Sequence, residues 1–210
     1  MTKEAIADRV DLGELLPLME EFYTIQGEGH HTGKAAYFIR LGGCDVGCHW
    51  CDVKESWDPD IHPPTEATDI VKNAKKYSDT VVVTGGEPLM WDMTHLTDLL
   101  KENGFQIHIE TSGAYEFTGQ WDWVCLSPKK LKAPVPEIYP AANELKVIVY
   151  NKSDFAFAEA HAERVGAACE LYLQPEWSVR EKMMPLIVDY VMKNPKWKIS
   201  LQTHKYLNIP

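Results

Sequence analysis

The chain alternates short apolar segments with amphipathic ones, and this alternation restricts its fold more than any other feature. Strands are predicted over residues 37–41, 81–83, 105–109, 123–126, 145–150, 171–173 and 199–201. Helices are predicted after Thr65 as the N-cap, over the apolar face 93–100, over 153–166 and from Ser178, whose spacing to Glu181 is that of a capping box. Strands that alternate with helices predict an α/β fold with a mostly parallel sheet, whose ligands bind beyond the carboxyl ends of the strands.

Length and charge exclude several classes of protein. The 210 residues are 45% hydrophobic and 25% charged, which is typical of a globular chain with a full core. The 21 basic and 31 acidic residues give a net charge of -10, which repels nucleic acid. Apolar runs fall far short of the ~18 residues of a membrane span, and the first residues lack the apolar stretch of a secretory signal. We therefore expect a cytoplasmic protein that binds neither nucleic acid nor a membrane.

Three of the five cysteines lie close together, directly after the strand predicted at 37–41. Cys44, Cys48 and Cys51 form the pattern C-x3-C-x2-C. Three thiols on one short loop suit a metal ion or an iron-sulfur cluster better than disulfides in a reducing compartment. A structural zinc site would need a fourth ligand, and His49 has too short a reach between two of the cysteines. A cubane cluster on three cysteines leaves one iron open for a small molecule, so the spacing favours [4Fe-4S] over zinc.

The remaining two cysteines have a different context. Cys125 and Cys169 fall within apolar segments that are predicted as strands. A cysteine in such a segment is usually a small buried hydrophobic residue. We expect both to be buried, inert thiols.

A Gly-Gly-Glu-Pro loop at residues 85–88 follows the next predicted strand. Glycines let backbone carbonyls approach a ligand closely, and Glu87 offers a carboxylate that can fix the turn. A Gly-Gly pair also ends many strands without any ligand. Together with the cysteine motif, however, the loop resembles the radical S-adenosylmethionine superfamily. The resemblance implies an abbreviated, partial (β/α) barrel in which the open iron of a [4Fe-4S] cluster chelates the methionine part of S-adenosylmethionine.

Further segments narrow the resemblance to one family of that superfamily. Ile-Gln-Gly-Glu-Gly at 25–29, Arg40, Asp52, Ser-Pro-Lys at 127–129 and Gln-Thr-His-Lys at 202–205 resemble the 7-carboxy-7-deazaguanine synthases. This implies a carbon-nitrogen lyase of queuosine biosynthesis, which contracts the ring of 6-carboxy-5,6,7,8-tetrahydropterin by radical chemistry and releases ammonia. It also implies a single domain over residues 1–210, with an N-terminal extension and a C-terminal tail that completes the substrate pocket.

The same resemblance assigns roles to individual residues. It places Trp50, Cys51, Asp52, Gly85, Gly86, Glu87, Glu110, Ser112, Ser127, Pro128 and Lys129 at the cofactor. It places Ile25, Gln26, Gly27, Arg40, Thr84, His204 and Pro210 at the substrate, with Arg40 as the partner of the substrate carboxylate. No side chain is expected to be catalytic, because the cofactor carries the radical chemistry. Trp57, Trp91 and Trp177 are expected to be packing residues.

Position 53 departs from the family pattern. The family usually has Thr or Ser there as a magnesium ligand, whereas this chain has Val53, whose side chain cannot bind the ion. Mg²⁺ at this position would therefore depend on Asp52 or on a backbone carbonyl. The resemblance further implies an electron donor such as flavodoxin or ferredoxin, a small pterin substrate and a homodimer.

Two alternatives stay open on the residues alone. A glycyl-radical-enzyme activase shares the cysteine motif and the Gly-Gly-Glu-Pro loop, although it has no reason to carry the 25–29 segment, Arg40 and His204 together. A non-catalytic iron-sulfur or zinc binding module would account for the cysteines without any reaction.

Overall fold

A sheet of nine strands is the frame of the computed structural model, which describes residues 2–210. The strands are β1 (Leu15–Ile25), β2 (Ala35–Leu41), β3 (Pro64–Glu66), β4 (Thr80–Gly85), β5 (Gln106–Thr111), β6 (Trp123–Leu126), β7 (Glu144–Val149), β8 (Glu170–Pro175) and β9 (Trp197–Ile199). Their spatial order is β3-β1-β2-β4-β5-β6-β7-β8-β9, so the sheet has two free edges and does not close. The expected α/β partial barrel is confirmed.

Six helices accompany the sheet within residues 2–210. They are α1 (Lys3–Asp11), α2 (Ala67–Ala74), α3 (Thr94–Glu102), α4 (Ser153–Ala162), α5 (Arg180–Lys193) and α6 (Thr203–Leu207). The strands β2 and β4 to β9 pair in parallel, and β1 pairs antiparallel with both β2 and β3. Within the described residues, no helix has the length and apolar character needed to cross a membrane.

The two faces of the sheet carry different side chains, because successive residues of a strand point to opposite sides. The outer face and the helices share one apolar core, which includes Ile39, Val83, Ile107, Ile109, Leu145 and Val147. The alternate positions form the inner face, which carries Phe38, Arg40, Val82, His108, Glu110, Glu144 and Lys146. The inner face is therefore mostly polar, and it is the face on which a ligand site can form.

Two predicted helix starts are wrong. Thr65 lies in β3, where its Oγ1 donates to the carbonyl of Pro63 at 3.1 Å, and α2 begins at Ala67 instead. The side chain of Glu176 accepts from the backbone N–H of Ser178 at 3.0 Å. It thereby caps a 3₁₀ turn over 177–179, so α5 begins only after this turn and the capping box does not form.

The longest strand, β1, has no counterpart among the predicted elements. Its pairing with β2 shifts register between Leu18 and Glu20, which interrupts the alternation of buried and exposed side chains. It also contains Pro17 and the charged pair Glu20 and Glu21. An irregular strand of this kind lacks the period of two that identifies a strand from sequence.

Candidate functional site

A cavity of about 660 Å³ opens on the inner face, at the carboxyl ends of the parallel strands. The loops after β2, β4, β5, β6, β8 and β9 all contribute to its wall, as expected for ligand sites in parallel sheets. Of the residues predicted for the site, the wall contains Ile25, Gln26, Gly27, Arg40, Cys44, Cys48, Trp50, Cys51, Asp52, Val53, Thr84, Gly85, Gly86, Glu87, Glu110, Ser112, Ser127, Lys129, His204 and Pro210. Pro128 is buried between two wall residues and does not line the cavity.

The cysteine loop follows β2 and forms one side of the cavity. Cys44, Cys48 and Cys51 are all free and half-buried. The loop is held from behind, because the N–H of Cys44 donates to Trp57 O at 3.1 Å and the N–H of Gly43 donates to Ser56 O at 2.7 Å. Burial raises the pKa of the Cys44 and Cys48 thiols. The loop therefore presents three thiols to one cavity.

The other two cysteines and His49 do not line the cavity. Cys125 is buried in β6, as expected, and outside the wall of the large cavity. The prediction for Cys169 is wrong, because it is half-buried and immediately precedes β8 rather than lying inside a strand. His49 is exposed, and its ring contacts Tyr150 edge-on with the centroids 5.0 Å apart.

The glycines of the 85–88 loop are required by its contact with the cysteine loop. A Cβ on Gly86 would lie 2.3 Å from Gly43 O and 2.9 Å from the Cβ of Cys44. Gly85 has a φ of +144°, and a Cβ there would lie 2.2 Å from Leu41 O. The N–H of Gly86 donates to Leu41 O at 2.9 Å. The two loops thus pack backbone against backbone, which leaves no room for side chains between them.

The carboxylate of Glu87 fixes the turn, as the sequence suggested. Glu87 is 1% exposed, and its Oε1 accepts from the N–H of Leu89 at 3.1 Å and from the hydroxyl of Thr111. Its Oε2 accepts from the N–H of Ser112 at 2.7 Å and from the Ser112 hydroxyl. The bond from Leu89 fixes the turn itself, and the three bonds from Thr111 and Ser112 tie the loop to the end of β5, next to the predicted cofactor residues.

Arg40 lies near the C-terminal end of β2, on the inner face of the sheet, and lines the cavity. Its Nε donates to Glu20 Oε1 at 2.7 Å, and its guanidinium lies 5.7 Å from the centroid of the Phe22 ring. The Arg40 side chain is 20% exposed and that of Glu20 is 47% exposed. A guanidinium has five N–H donors, so one bond to Glu20 leaves others for a second anion.

A lysine and a tryptophan face each other across the cavity wall. Lys129 donates from Nζ to both the carbonyl and the hydroxyl oxygen of Ser127 at 2.6 Å. Its Nζ lies 5.7 Å from the centroid of the Trp50 ring. Burial lowers the pKa of Lys129. The pair combines a flat apolar surface with a positive charge beside the cysteine loop.

The segment 25–29, of which Ile25, Gln26 and Gly27 are predicted for the site, is held at the cavity by a charged network. The side chain of Gln26 donates from Nε2 to Glu110 Oε1 at 2.8 Å, and its Oε1 accepts from the N–H of Glu28 at 3.0 Å. Lys146 donates to Glu28 Oε2 at 2.6 Å and to Glu110 Oε2 at 3.2 Å. Glu28 and Lys146 line the cavity but are absent from the sequence-based prediction of the site. The sequence signal that could have indicated Lys146 is the presence of a lysine within the otherwise apolar stretch 145–150.

The C-terminal segment closes one side of the cavity. Thr203 donates from both its N–H and its hydroxyl to Gly27 O, at 2.9 and 3.0 Å. His204 lies so close to Gly27 that a Cβ there would be 2.2 Å from the imidazole Nδ1. Burial lowers the pKa of His204. The segment 202–205 is therefore fitted to a glycine in the predicted substrate segment.

Several aromatic and polar residues complete the wall without having been predicted to do so. Trp57 and Trp177, which were expected to be packing residues, both line the cavity. The third, Trp91, packs behind the cysteine loop and donates from Nε1 to Gly42 O at 2.8 Å. Other wall residues that sequence reasoning missed are Phe22, Phe38, Val46, Thr111, Ile148, Gln174, Pro175, Glu176, Gln202, Lys205 and Ile209. Gln202 and Lys205 lie in the 202–205 segment of the family pattern, which could have indicated them, whereas the other positions carry no motif that marks them.

The donor set at the cysteine loop fits an iron-sulfur cluster. Within residues 2–210, no three His, Cys, Asp or Glu side chains converge at the spacing of a single metal ion. A cubane cluster makes a different demand, since each thiolate binds its own iron. Three thiols distributed around one loop, with the glycine pair packed against it, meet that demand and leave space in the cavity for a ligand on the fourth iron.

The predicted magnesium position does not offer a comparable set of ligands. Val53 lines the cavity with an aliphatic side chain, which provides no oxygen. The neighbouring carboxylate of Asp52 is paired with Lys205, whose Nζ lies 2.9 Å from Oδ2. A side-chain cation thus stands beside the carboxylate that magnesium would need.

The chain is similar to proteins of one family over its whole length. The model of the Radical SAM superfamily matches residues 38–122. A protein of Flavobacterium psychrophilum named 7-carboxy-7-deazaguanine synthase is 69% identical over 210 residues, which are 100% of this chain and 100% of that protein. A protein of the same name from Synechocystis is 50% identical over 194 residues, covering 92% of this chain and 93% of that one.

A solved structure is similar as well. The crystal structure of QueE from Escherichia coli superimposes with a TM-score of 0.80 at 32% identity. The match covers 91% of this chain and 96% of the QueE chain. The open sheet and the loops at its carboxyl edge therefore follow an architecture that is known experimentally.

Proposed function

Because this chain belongs to the 7-carboxy-7-deazaguanine synthase family of the radical S-adenosylmethionine superfamily, we propose that its cavity forms 7-carboxy-7-deazaguanine. The substrate would be 6-carboxy-5,6,7,8-tetrahydropterin, which loses ammonia as its ring contracts. One observation carries the proposal: a single cavity unites the cysteine loop, the Gly-Gly-Glu-Pro loop, Arg40 and the segments 25–28 and 202–205.

The cofactor end of the cavity is the wall around the cysteine loop. Cys44, Cys48 and Cys51 would hold a [4Fe-4S] cluster and leave one iron for S-adenosylmethionine. When bound, these groups supply the radical that starts the reaction. The chain contributes the position: the rigid contact between the cysteine and glycine loops fixes the thiols, and the Trp50 ring offers a flat surface beside them.

The substrate end offers two kinds of charge. Arg40 is a cation on the wall, and its planar guanidinium suits a carboxylate through parallel hydrogen bonds. Glu28 and Glu110 are carboxylates on the same wall, which accept N–H donors such as those of an aminopyrimidinone ring. The family resemblance assigns Glu110 to the cofactor, and its link to Glu28 through Lys146 is the reason for assigning it to the substrate end instead. A carboxylated pterin carries both groups, so its two ends complement the two kinds of wall.

The proposed reaction includes no step that needs magnesium. Val53 offers no oxygen and Asp52 is paired with Lys205, so the residues present do not fit a magnesium site. We further propose flavodoxin or ferredoxin as the source of electrons and a homodimer as the assembled form. Both follow from the family resemblance, and both are open to direct binding and sedimentation measurements.

One experiment tests the proposed function. The protein is reconstituted with iron and sulfide, reduced, and incubated with S-adenosylmethionine and the carboxylated tetrahydropterin, and the products are identified by mass. Formation of 7-carboxy-7-deazaguanine supports the proposal. Cleavage of S-adenosylmethionine without that product would favour another radical enzyme, such as a glycyl-radical activase. Zinc in place of iron and sulfide would favour a binding module.

A further inference from the structure

A buried lysine on the inner face links two carboxylates of the cavity. The Lys146 side chain is 3% exposed, and a lysine is almost never buried so fully unless it is paired. Its Nζ bonds to Glu28 at 2.6 Å and to Glu110 at 3.2 Å. Lys146 lies on β7, Glu110 on β5 and Glu28 on the loop after β1, so the lysine joins three distant segments of the chain.

Both carboxylates are held at each of their oxygens. Lys146 binds one oxygen of Glu28, and Gln202 Nε2 donates to the other at 2.9 Å. The second oxygen of Glu110 accepts from Gln26 Nε2 at 2.8 Å. A carboxylate has about four lone-pair sites, so these bonds fix the orientation of each group and leave acceptor capacity toward the cavity.

The network has more negative than positive charge. Two carboxylates and one ammonium leave an excess negative charge at a site where the Glu28 side chain is 15% exposed and that of Glu110 is 24% exposed. A site of this kind favours a ligand that presents N–H donors. This matches the aminopyrimidinone edge of a pterin and not its carboxylate.

We propose that Lys146 is a positioning residue for the reaction: its ammonium holds the carboxylates of Glu28 and Glu110 toward the cavity, where they accept the N–H donors of the pterin. The inference rests on the proposed function, because it presumes a pterin in this cavity. It adds a residue that touches no substrate and acts through the two carboxylates.

The electrostatic surroundings show why the ammonium matters. Burial alone raises the pKa of Glu28, but the charge of Lys146 and the hydrogen bonds from Lys146 and Gln202 hold it at about 2. Burial likewise lowers the pKa of Lys146, and the acidic groups around it more than offset this effect. The titratable groups that face this network are Cys125, Lys129, Glu144, His204 and, next to Glu110, His108. Without the ammonium, burial becomes the main influence on Glu28 and raises its pKa toward the neutral range.

The test replaces Lys146 by methionine, which has a similar length and no charge. A carboxyl group with a raised pKa is protonated as the pH falls, so binding through its ionised form is lost at low pH. For Lys146→Met we expect kcat/KM for the pterin to be about 100-fold below wild type near pH ~6, with the difference shrinking toward pH ~9. The loss should lie in KM.

Two further variants separate positioning from structure. Lys146→Arg keeps the charge, so its pH profile should stay as flat as that of the wild type even if its activity is lower. Lys101 pairs with Asp122, with 2.5 Å between Nζ and Oδ1, and neither residue lines the cavity. The pterin kinetics of Lys101→Met should therefore equal those of the wild type. A pH-independent loss in Lys146→Met, unchanged kinetics, or the same pH limb in Lys146→Arg would overturn the inference.

A binding measurement keeps this result distinct from the proposed function. Pterin affinity is measured across the same pH range on unreduced protein, together with the infrared carbonyl band of a protonated carboxyl group. Relative to the wild type, Lys146→Met should show weaker binding at low pH and an additional carbonyl band there, beyond any band from Glu144, whose pKa burial raises in both proteins. If the wild type binds pterin but makes no deazaguanine, the proposed function fails while the role of Lys146 is still tested. Equal affinities and spectra in both proteins would overturn the role.

Discussion

The two faces of the sheet obey different rules, although they alternate along the same strands. On β7, Leu145 is fully buried against the helices, and the next residue, Lys146, is equally buried on the cavity side. The outer residue is stabilised by removal of apolar area from water. The inner residue costs free energy to bury and is retained with two carboxylates and their hydrogen bonds.

Substitutions on the two faces should therefore have different consequences. Outer-face residues should change the free energy of unfolding and leave the chemistry intact. Inner-face residues should change binding or chemistry, and a substitution that leaves a buried charge unpaired should lower the free energy of unfolding as well. The predictions that follow test this division.

The largest effect is expected at the cysteine loop. Replacing any one of Cys44, Cys48 or Cys51 by alanine should abolish cluster binding and product formation, because three ligands leave no spare. Iron and sulfide content and the anaerobic absorption spectrum measure cluster binding. Mass analysis of the product measures product formation. Cys169→Ala is the matched control and should retain both. Full iron content with normal turnover in any of the three variants would contradict the assignment of the ligands.

An outer-face substitution should lower stability and leave the chemistry unchanged. Leu145→Ala is expected to lower the free energy of unfolding by about 2–5 kcal/mol, since it leaves a cavity in the core. The KM for the pterin and the pH profile should match those of the wild type. Denaturant unfolding and steady-state kinetics on one preparation give both values. A pterin KM that changes as much as in Lys146→Met would show that the two faces are not independent.

Arg40 tests whether a charged inner residue acts on substrate. Arg40→Lys keeps the charge and loses the planar fork, so product formation should fall about tenfold to about 100-fold. Cluster content, melting temperature and uncoupled cleavage of S-adenosylmethionine should be retained. Glu20→Gln removes the ion pair and keeps the guanidinium, so it should have a much smaller effect on turnover. A purely structural role would instead lower the melting temperature of Arg40→Lys along with its activity.

The smallest effect concerns magnesium. Because Val53 offers no oxygen and Lys205 already pairs with Asp52, activity should depend weakly on added magnesium. Val53→Thr supplies a hydroxyl and should make the dependence steeper. Activity titrations of both forms against magnesium measure this. Identical curves would mean that any bound magnesium is held by other groups.

The sequence predicted the outer face better than the inner one. The apolar stretches 81–83, 105–109, 123–126 and 145–150 all overlap observed strands, because burial against helices leaves a simple apolar signal. β1 escaped prediction because its register shift breaks the alternation. Ser178 was mistaken for a helix cap because Glu176 satisfies the backbone N–H first.

The inner face depends on contacts between distant segments. The motif-bearing residues of the cavity could be identified because their spacing resembles that of a family. Its position within an apolar stretch marks Lys146 as unusual, but its role could not be predicted, since its partners Glu28 and Glu110 lie 118 and 36 residues away in the chain. Only the folded sheet brings the three together.

The open sheet has a consequence for how copies of the chain can associate. An exposed edge strand can pair with another molecule through its free N–H and C=O groups. Here both edges are three-residue strands: β3 includes a proline, which has no N–H, and β9 includes the charged Lys198. Short edges with proline and charge oppose such pairing. Two copies would therefore meet through helices or loops, and the sheet can stay unclosed without becoming a template for aggregation.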